Sequence, residues 1–174
     1  MLHLYLFRHA KSSWKSGGSE DFDRTLNARG RTAAAAMASH LALSGLTPDV
    51  IVCSAAQRAR ETLAFAVAAF GEDCAIDIEH DLYLADAATL LERIKALPET
   101  AQRCMMIGHN PGFHQLALRL AGDGSADDIA SLRAKFPTAA VAEIAFALPH
   151  WRDITPGAGR LQRFLTPRTL PADG

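Results

Sequence analysis

The sequence predicts a three-layer α/β/α fold built on a mostly parallel central sheet. Three observations lead there. Short apolar runs of strand length recur at 2–7, 49–53, 75–79 and 104–107. Stretches of helical character, each with a start or stop signal, separate them. Strands alternating with helices build βαβ units, whose sheet is covered on both faces.

Each element has a local reason. Leu2 to Phe7 reads as a strand, with Arg8-His9 directly after it. Lys11 to Asp23 is polar, contains Gly17-Gly18 and reads as a loop. Asn27 is an N-cap for an alanine-rich helix over 28–43, stopped near Ser44-Gly45. The run "DVIVC", 49–53, is a buried strand. Ser54 is placed to cap the helix that follows to Phe70, with Gly71 as its stop. Ala75 to Glu79 is a weaker strand, and Asp86 begins a helix to Leu97, closed by Pro98. "CMMI", 104–107, is another buried strand, and Pro111 suits the first turn of a helix to Ala121. Ala139 to Leu148 and Leu161 to Leu165 are the last strands. One domain is expected over 1–166, followed by a loose tail, 167–174.

Composition bounds the function. The 174 residues are 49% hydrophobic and 21% charged, enough for a full core without metal or disulfide staples. A formal net charge of -1 argues against binding nucleic acid or an anionic membrane. Cys53, Cys74 and Cys104 are too few and scattered for a disulfide framework, so a cytoplasmic location is expected. The apolar N-terminus is too short for a signal peptide or a membrane span. Charge is nevertheless uneven. Residues 1–31 carry six basic and three acidic side chains, whereas 71–101 carry eight acidic and two basic. Positive charge is thus focused near the first strand.

Open parallel sheets bind ligands at the carboxyl ends of their strands. There this sequence places Arg8-His9 after the first strand, Ser54 and Arg58 after the second, and Gly108-His109-Asn110 after "CMMI". Guanidinium groups match phosphate oxygens as a fork. Nearby arginine charge favours the neutral form of a histidine, and a neutral imidazole facing a clamped phosphate is a nucleophile. His3, His40, His80, His114 and His150 are read as structural or surface residues instead.

The segments carrying these residues resemble the histidine phosphatase superfamily, the phosphoglycerate-mutase-like fold. "LYLFRHAKS" is similar to its R-H signature, "CSAAQRARETL" to its second block and "MIGHNPG" to its late histidine block, in the same order. The short chain, without a large insert, resembles the SixA-type phosphohistidine phosphatases. "DFDRTLNARGR" is similar to that subgroup's R-P-L segment, with Thr25 in place of proline. The resemblance implies a phosphatase working through a phosphohistidine enzyme intermediate. His9 would be the nucleophile, Arg8 and Arg58 would clamp the phosphoryl oxygens, and His109 would complete the pocket. Arg24 would be a further phosphate ligand, and Ser12 and Asn110 could reach the substrate. The substrate would be phosphorylated, on this resemblance a phosphohistidine-bearing protein, admitted by an open site. No cofactor and no metal are expected, and no H-E-x-x-H cluster suggests one.

Many members of the superfamily carry a carboxylic proton donor after the third strand. Here Asp81 and Asp86 are the candidates by position, and Asp86 is better placed as a helix N-cap, with Ala87 starting the helix. A phosphohistidine depends less on a general acid, because its imidazole leaving group protonates near neutral pH. A small-molecule phosphomonoester is the alternative substrate. Cys53 with Arg58 invites comparison with a cysteine phosphatase, but their spacing is one residue short and Cys53 lies in a buried strand. "GHNPG" has the outline of a serine-hydrolase elbow, with Asn110 where the nucleophile would stand. A non-catalytic phosphoprotein-binding module would use the same arginines without turnover.

Overall fold

In the first strand, β1 (Leu2–Arg8), the pleat divides the side chains between two cores. Leu2, Leu4 and Leu6 enter one, and Tyr5 and Phe7 enter the other. The computed structural model describes residues 1–14, 20–71 and 73–171. Helices α1 (Ala28–Leu43) and α2 (Gln57–Phe70) close the Tyr5 face through Met37, Leu41 and Leu63. Helices α3 (Ala87–Lys95), α4 (Gly112–Leu120) and α5 (Ala126–Ala134) close the Leu4 face through Leu90, Phe113 and Leu132. The result is the expected α/β/α sandwich.

The sheet has seven strands in the order β3-β2-β4-β1-β6-β7-β5. β1 lies between β4 (Arg103–Gly108), which runs parallel to it, and β6 (Val141–Phe146), which is antiparallel. β2 (Val50–Ser54) is parallel to both β4 and β3 (Ala75–Glu79). β7 (Gly159–Leu165) is antiparallel to β6 and parallel to β5 (Ala121–Gly124). β1, β2 and β4 are therefore adjacent and parallel, and their carboxyl ends share one edge. Arg8, Ser54 and Gly108, with the residues that follow them, meet there.

Several elements differ from the sequence expectation. β5 was not foreseen: "AGDG" has no strand propensity, and pairing with β7 imposes the conformation. α5 was not foreseen either. It buries only Leu132, too thin an apolar pattern, although Ser125 caps it by accepting from the Asp128 N–H. Ser54 does not cap α2. It ends β2, and the cap position belongs to Ala56, which makes no side-chain cap bond. Asn27 does cap α1, accepting from the Gly30 N–H.

Within the expected tail, residues 167–171 are described. Thr169 N–H donates to the Thr166 carbonyl at 3.0 Å, and Leu170 packs against the core that includes α1. Residues 172–174 of that tail, and Gly17-Gly18 of the expected loop, lie outside the described residues.

Candidate active site

His9 follows β1 and is held on all sides by main chain. Its N–H donates to the Gly108 carbonyl at 3.0 Å, and its own carbonyl accepts from Ala139 N–H at 3.2 Å. The next N–H, of Ala10, donates to the Thr62 hydroxyl on α2 at 3.0 Å. Side chain and backbone then fix the ring. Nδ1 lies 2.7 Å from the Ala10 carbonyl, which can only accept, so Nδ1 carries the proton. Nε2 is left with the lone pair, and Arg58 Nε–H points at it from 3.3 Å. Burial, with the charges of Arg58 and Arg8 and the neighbouring His109, pulls the His9 pKa down to about 3. The imidazole is neutral at physiological pH.

His109 stands where β4 turns into α4, its ring centroid 5.1 Å from that of His9. Its Nε2 is 2.7 Å from Ser54 Oγ. Burial and the Arg58 charge lower its pKa to about 3 as well.

The arginines surround this pair. Arg58 sits in the first turn of α2 and is 3% exposed. Its Nη1 donates to the Asp21 carbonyl at 2.5 Å and its Nη2 to the Asp21 carboxylate at 3.1 Å. Arg8 donates from Nη1 to the Phe136 carbonyl at 2.8 Å. Asn110 Nδ2 donates to that same carbonyl at 3.0 Å. Arg24 reaches the Ser12 hydroxyl, the Ser13 carbonyl and the Asp21 carboxylate at 2.6, 3.0 and 2.8 Å.

These residues line one cleft of about 540 Å³. Among the described residues, Arg8, Lys11, Arg24 and Arg58 contribute four cations to it, against the single carboxylate of Asp21. Arg8 Nε and His109 Nδ1 are buried and have no hydrogen-bond partner among the described residues. An unmatched arginine donor beside fixed guanidiniums can form a cradle for an oxyanion. A neutral imidazole that keeps a lone pair is of the kind that can act as a nucleophile.

His9, Arg8, Arg58, His109, Arg24, Ser12 and Asn110, read from the sequence, all line the cleft. Asp86, the possible acid, does not. It caps α3, its carboxylate accepting from Thr89 N–H at 2.8 Å, and that bond holds its pKa below the usual carboxylate range. Asp81 lies in the one-turn 3-10 helix His80–Leu82, also away from the cleft lining. The Cys53 thiol is buried, its pKa pushed up to about 12, and it donates to the Ser54 carbonyl. It is inert as a nucleophile.

Sequence reasoning missed three contributors. Asp21 grips Arg24 and Arg58 and accepts from the Tyr83 hydroxyl. Tyr83 meets His109 edge-on at 5.5 Å between centroids. The Phe136 carbonyl orients both Arg8 and Asn110. The nearest signal was the spacing of Asp21 three residues before Arg24, one turn of a 3-10 helix.

A family model described as the histidine phosphatase superfamily (branch 1) matches residues 4–109. Uncharacterized protein Rv1276c of Mycobacterium tuberculosis is 34% identical over 163 residues, covering 92% of this chain and 99% of that protein. A crystal structure of a candidate phosphohistidine phosphatase SixA from Agrobacterium tumefaciens superposes with a TM-score of 0.78 at 32% identity, over 95% of this chain and 97% of that one. A second SixA candidate, from Nakamurella multipartitia, gives a TM-score of 0.83 at 26% identity, over 95% and 96% of the two chains.

Proposed function

The chain belongs to the histidine phosphatase superfamily, and on that footing we propose that it is a metal-independent phosphatase acting on phosphohistidine through a phosphoenzyme on His9. The observation that carries the reading is the His9 ring: Nδ1–H committed to the Ala10 carbonyl, and Nε2 keeping the lone pair, with Arg58 Nε–H directed at it from 3.3 Å.

The chemistry runs in two in-line transfers. The Nε2 lone pair of His9 forms a bond to phosphorus as the bond to the leaving group breaks. The leaving nitrogen keeps that bonding pair and takes a proton from water. A water molecule then attacks phosphorus, the electron pair of the broken N–P bond returns to Nε2, and a water proton is released with inorganic phosphate. Arg8, Arg24 and Arg58 offset the charge on the equatorial oxygens, and His109 donates to one of them. No ion is called on, since three fixed guanidiniums supply the positive charge.

Two features favour a P–N substrate. Asp21, the one carboxylate lining the cleft among the described residues, is hydrogen-bonded by Tyr83 and Arg24 and paired with Arg58, which holds its pKa well below the usual carboxylate range. It is ionised and no proton donor. An imidazole leaving group protonates on its own near neutral pH, whereas an alkoxide needs a donor. The substrate on this reading is a phosphohistidine-bearing protein in a reducing cytoplasm. Among the described residues, no helix is long and apolar enough to cross a membrane.

The test compares phosphate release from a phosphohistidine peptide, sugar phosphates and nucleotides. The peptide is expected to give the highest kcat/KM. Quenched enzyme is expected to carry an acid-labile, alkali-stable phosphate. A sugar phosphate turned over more efficiently than the peptide would favour the small-molecule phosphomonoester instead. Binding of the peptide without turnover would leave a phosphoprotein-binding module.

A further inference from the structure

Asp21 occupies an unusual position in an anion site. Its Oδ1 accepts from Arg24 Nη1 at 2.8 Å, and its Oδ2 accepts from Arg58 Nη2 at 3.1 Å and from the Tyr83 hydroxyl. Its carbonyl takes Arg58 Nη1 at 2.5 Å. The phosphoryl site thus contains an anion of its own, bonded to Arg24 and Arg58, two of the arginines that line the cleft.

The surrounding packing holds that anion in place. Phe22 stacks on His80 at 5.0 Å and meets Tyr83 edge-on at 5.0 Å, which pins the 3-10 turn Asp21–Asp23 against the His80–Leu82 segment. Arg24 is braced a second time by the Ser13 carbonyl and the Ser12 hydroxyl. Hydrogen bonds from Tyr83, Arg24 and Arg58 hold the carboxylate on the arginines although its side chain is 40% exposed.

We propose that Asp21 is a built-in counter-ion that shares Arg24 and Arg58 with the phosphoryl group and so limits how tightly the cleft retains phosphate. The inference rests on the reading of this cleft as the phosphoryl site. Three guanidiniums and a lysine around a small dianion make a trap for the product. A carboxylate on the same guanidiniums repels the dianion and takes up part of their hydrogen-bonding capacity. Release of phosphate is favoured, while the fork of Arg58 stays aimed with its Nε on His9. Asp21 is a positioning residue in this scheme; it exchanges no proton and forms no bond to phosphorus.

Calorimetric titration with inorganic phosphate at low salt tests this without turnover. Asp21→Asn removes the charge and keeps the shape, and is expected to bind phosphate about tenfold more tightly than the wild type, as one unit charge a few ångströms away in a half-exposed cleft implies. Asp21→Glu, which keeps the charge, is expected to stay close to the wild type. Product inhibition by phosphate should strengthen in Asp21→Asn in step with the binding. A merely structural Asp21 would predict equal or weaker binding in Asp21→Asn, and that result overturns the proposal while leaving the phosphatase reading intact. Phosphate binding absent from wild type and variant alike overturns the site reading and this proposal together. The Asp21 side chain is 40% exposed, so Asp21→Ala serves as the second charge-removing variant if the amide perturbs the fold.

Discussion

The hydroxyl of Ser54 lies 2.7 Å from Nε2 of His109, in a spot where both side chains are buried. The bond joins the last residue of β2 to the turn after β4 and orients the second histidine of the cleft. The same oxygen accepts from Ala56 N–H at 3.3 Å, so Ser54 has two fixed partners. A serine that reads locally as a helix cap is therefore an orienting group for the site.

Ser54→Ala should lower kcat/KM about tenfold, the worth of one lost hydrogen bond on a ring proposed to bind the transferring group. Melting temperature should fall by several degrees, because His109 Nε2 and the Ala56 N–H lose a buried partner at a cost of about 1–3 kcal/mol. The check is steady-state turnover alongside thermal unfolding. An unchanged kcat/KM would show that His109 is held by packing against Tyr83 alone.

His9→Ala should reduce phosphate release by about 10³-fold or more, since the variant removes the imidazole proposed to attack phosphorus. Cys53→Ser should retain most activity. Phosphoenzyme trapping on both variants tells them apart. Label retained by His9→Ala but lost from Cys53→Ser would refute the histidine mechanism.

Acid should destabilise the protein in a defined window. His9 and His109 have folded pKa values lowered to about 3, against an ordinary value of 6.5. The unfolded chain therefore binds more protons than the folded one between those values, and stability falls as pH drops from about 6.5 to about 3. Two such histidines give a limiting slope of about 2.7 kcal/mol per pH unit. Urea unfolding at successive pH values measures it. The double variant His9→Gln, His109→Gln should flatten the slope in that range, and a slope that persists would assign it elsewhere.

Gly30→Ala should destabilise the fold by about 1–3 kcal/mol, the cost of overpacking. A Cβ at Gly30 would stand 2.0 Å from the Lys11 carbonyl oxygen, which also accepts from Asn27 N–H at 3.0 Å. The first turn of α1 therefore packs directly on the backbone two residues after His9. Activity should fall with stability, because relief of the clash shifts that backbone. Denaturant midpoints and turnover measured together check this.

Much of the molecule was legible locally. Phe7-Arg8-His9, Cys53 to Arg58 and Ile107 to Asn110 are contiguous segments in which an apolar run ends and chemistry-bearing residues begin. The rule that parallel sheets bind at strand carboxyl ends turned those segments into one site. The adjacency of β1, β2 and β4 accounts for that success. Asn27 and Gly71 were readable because caps and stops act within a few residues.

What the tertiary structure alone decided are the partners. Asp21 meets Arg58 across 37 positions, Ser54 meets His109 across 55, and Arg8 meets the Phe136 carbonyl across 128. No local pattern encodes such pairs, since propensity and periodicity act over a few residues, whereas these bonds exist only once the sheet has assembled. The sequence by itself determined the layers, the strand ends and the identity of the nucleophile candidate. The fold decided that Asp86 is spent on a helix cap, that Asp21 holds two arginines, and that the His9 ring keeps its lone pair on Nε2, because each depends on which distant backbone carbonyl or guanidinium stands within 3 Å or so of it.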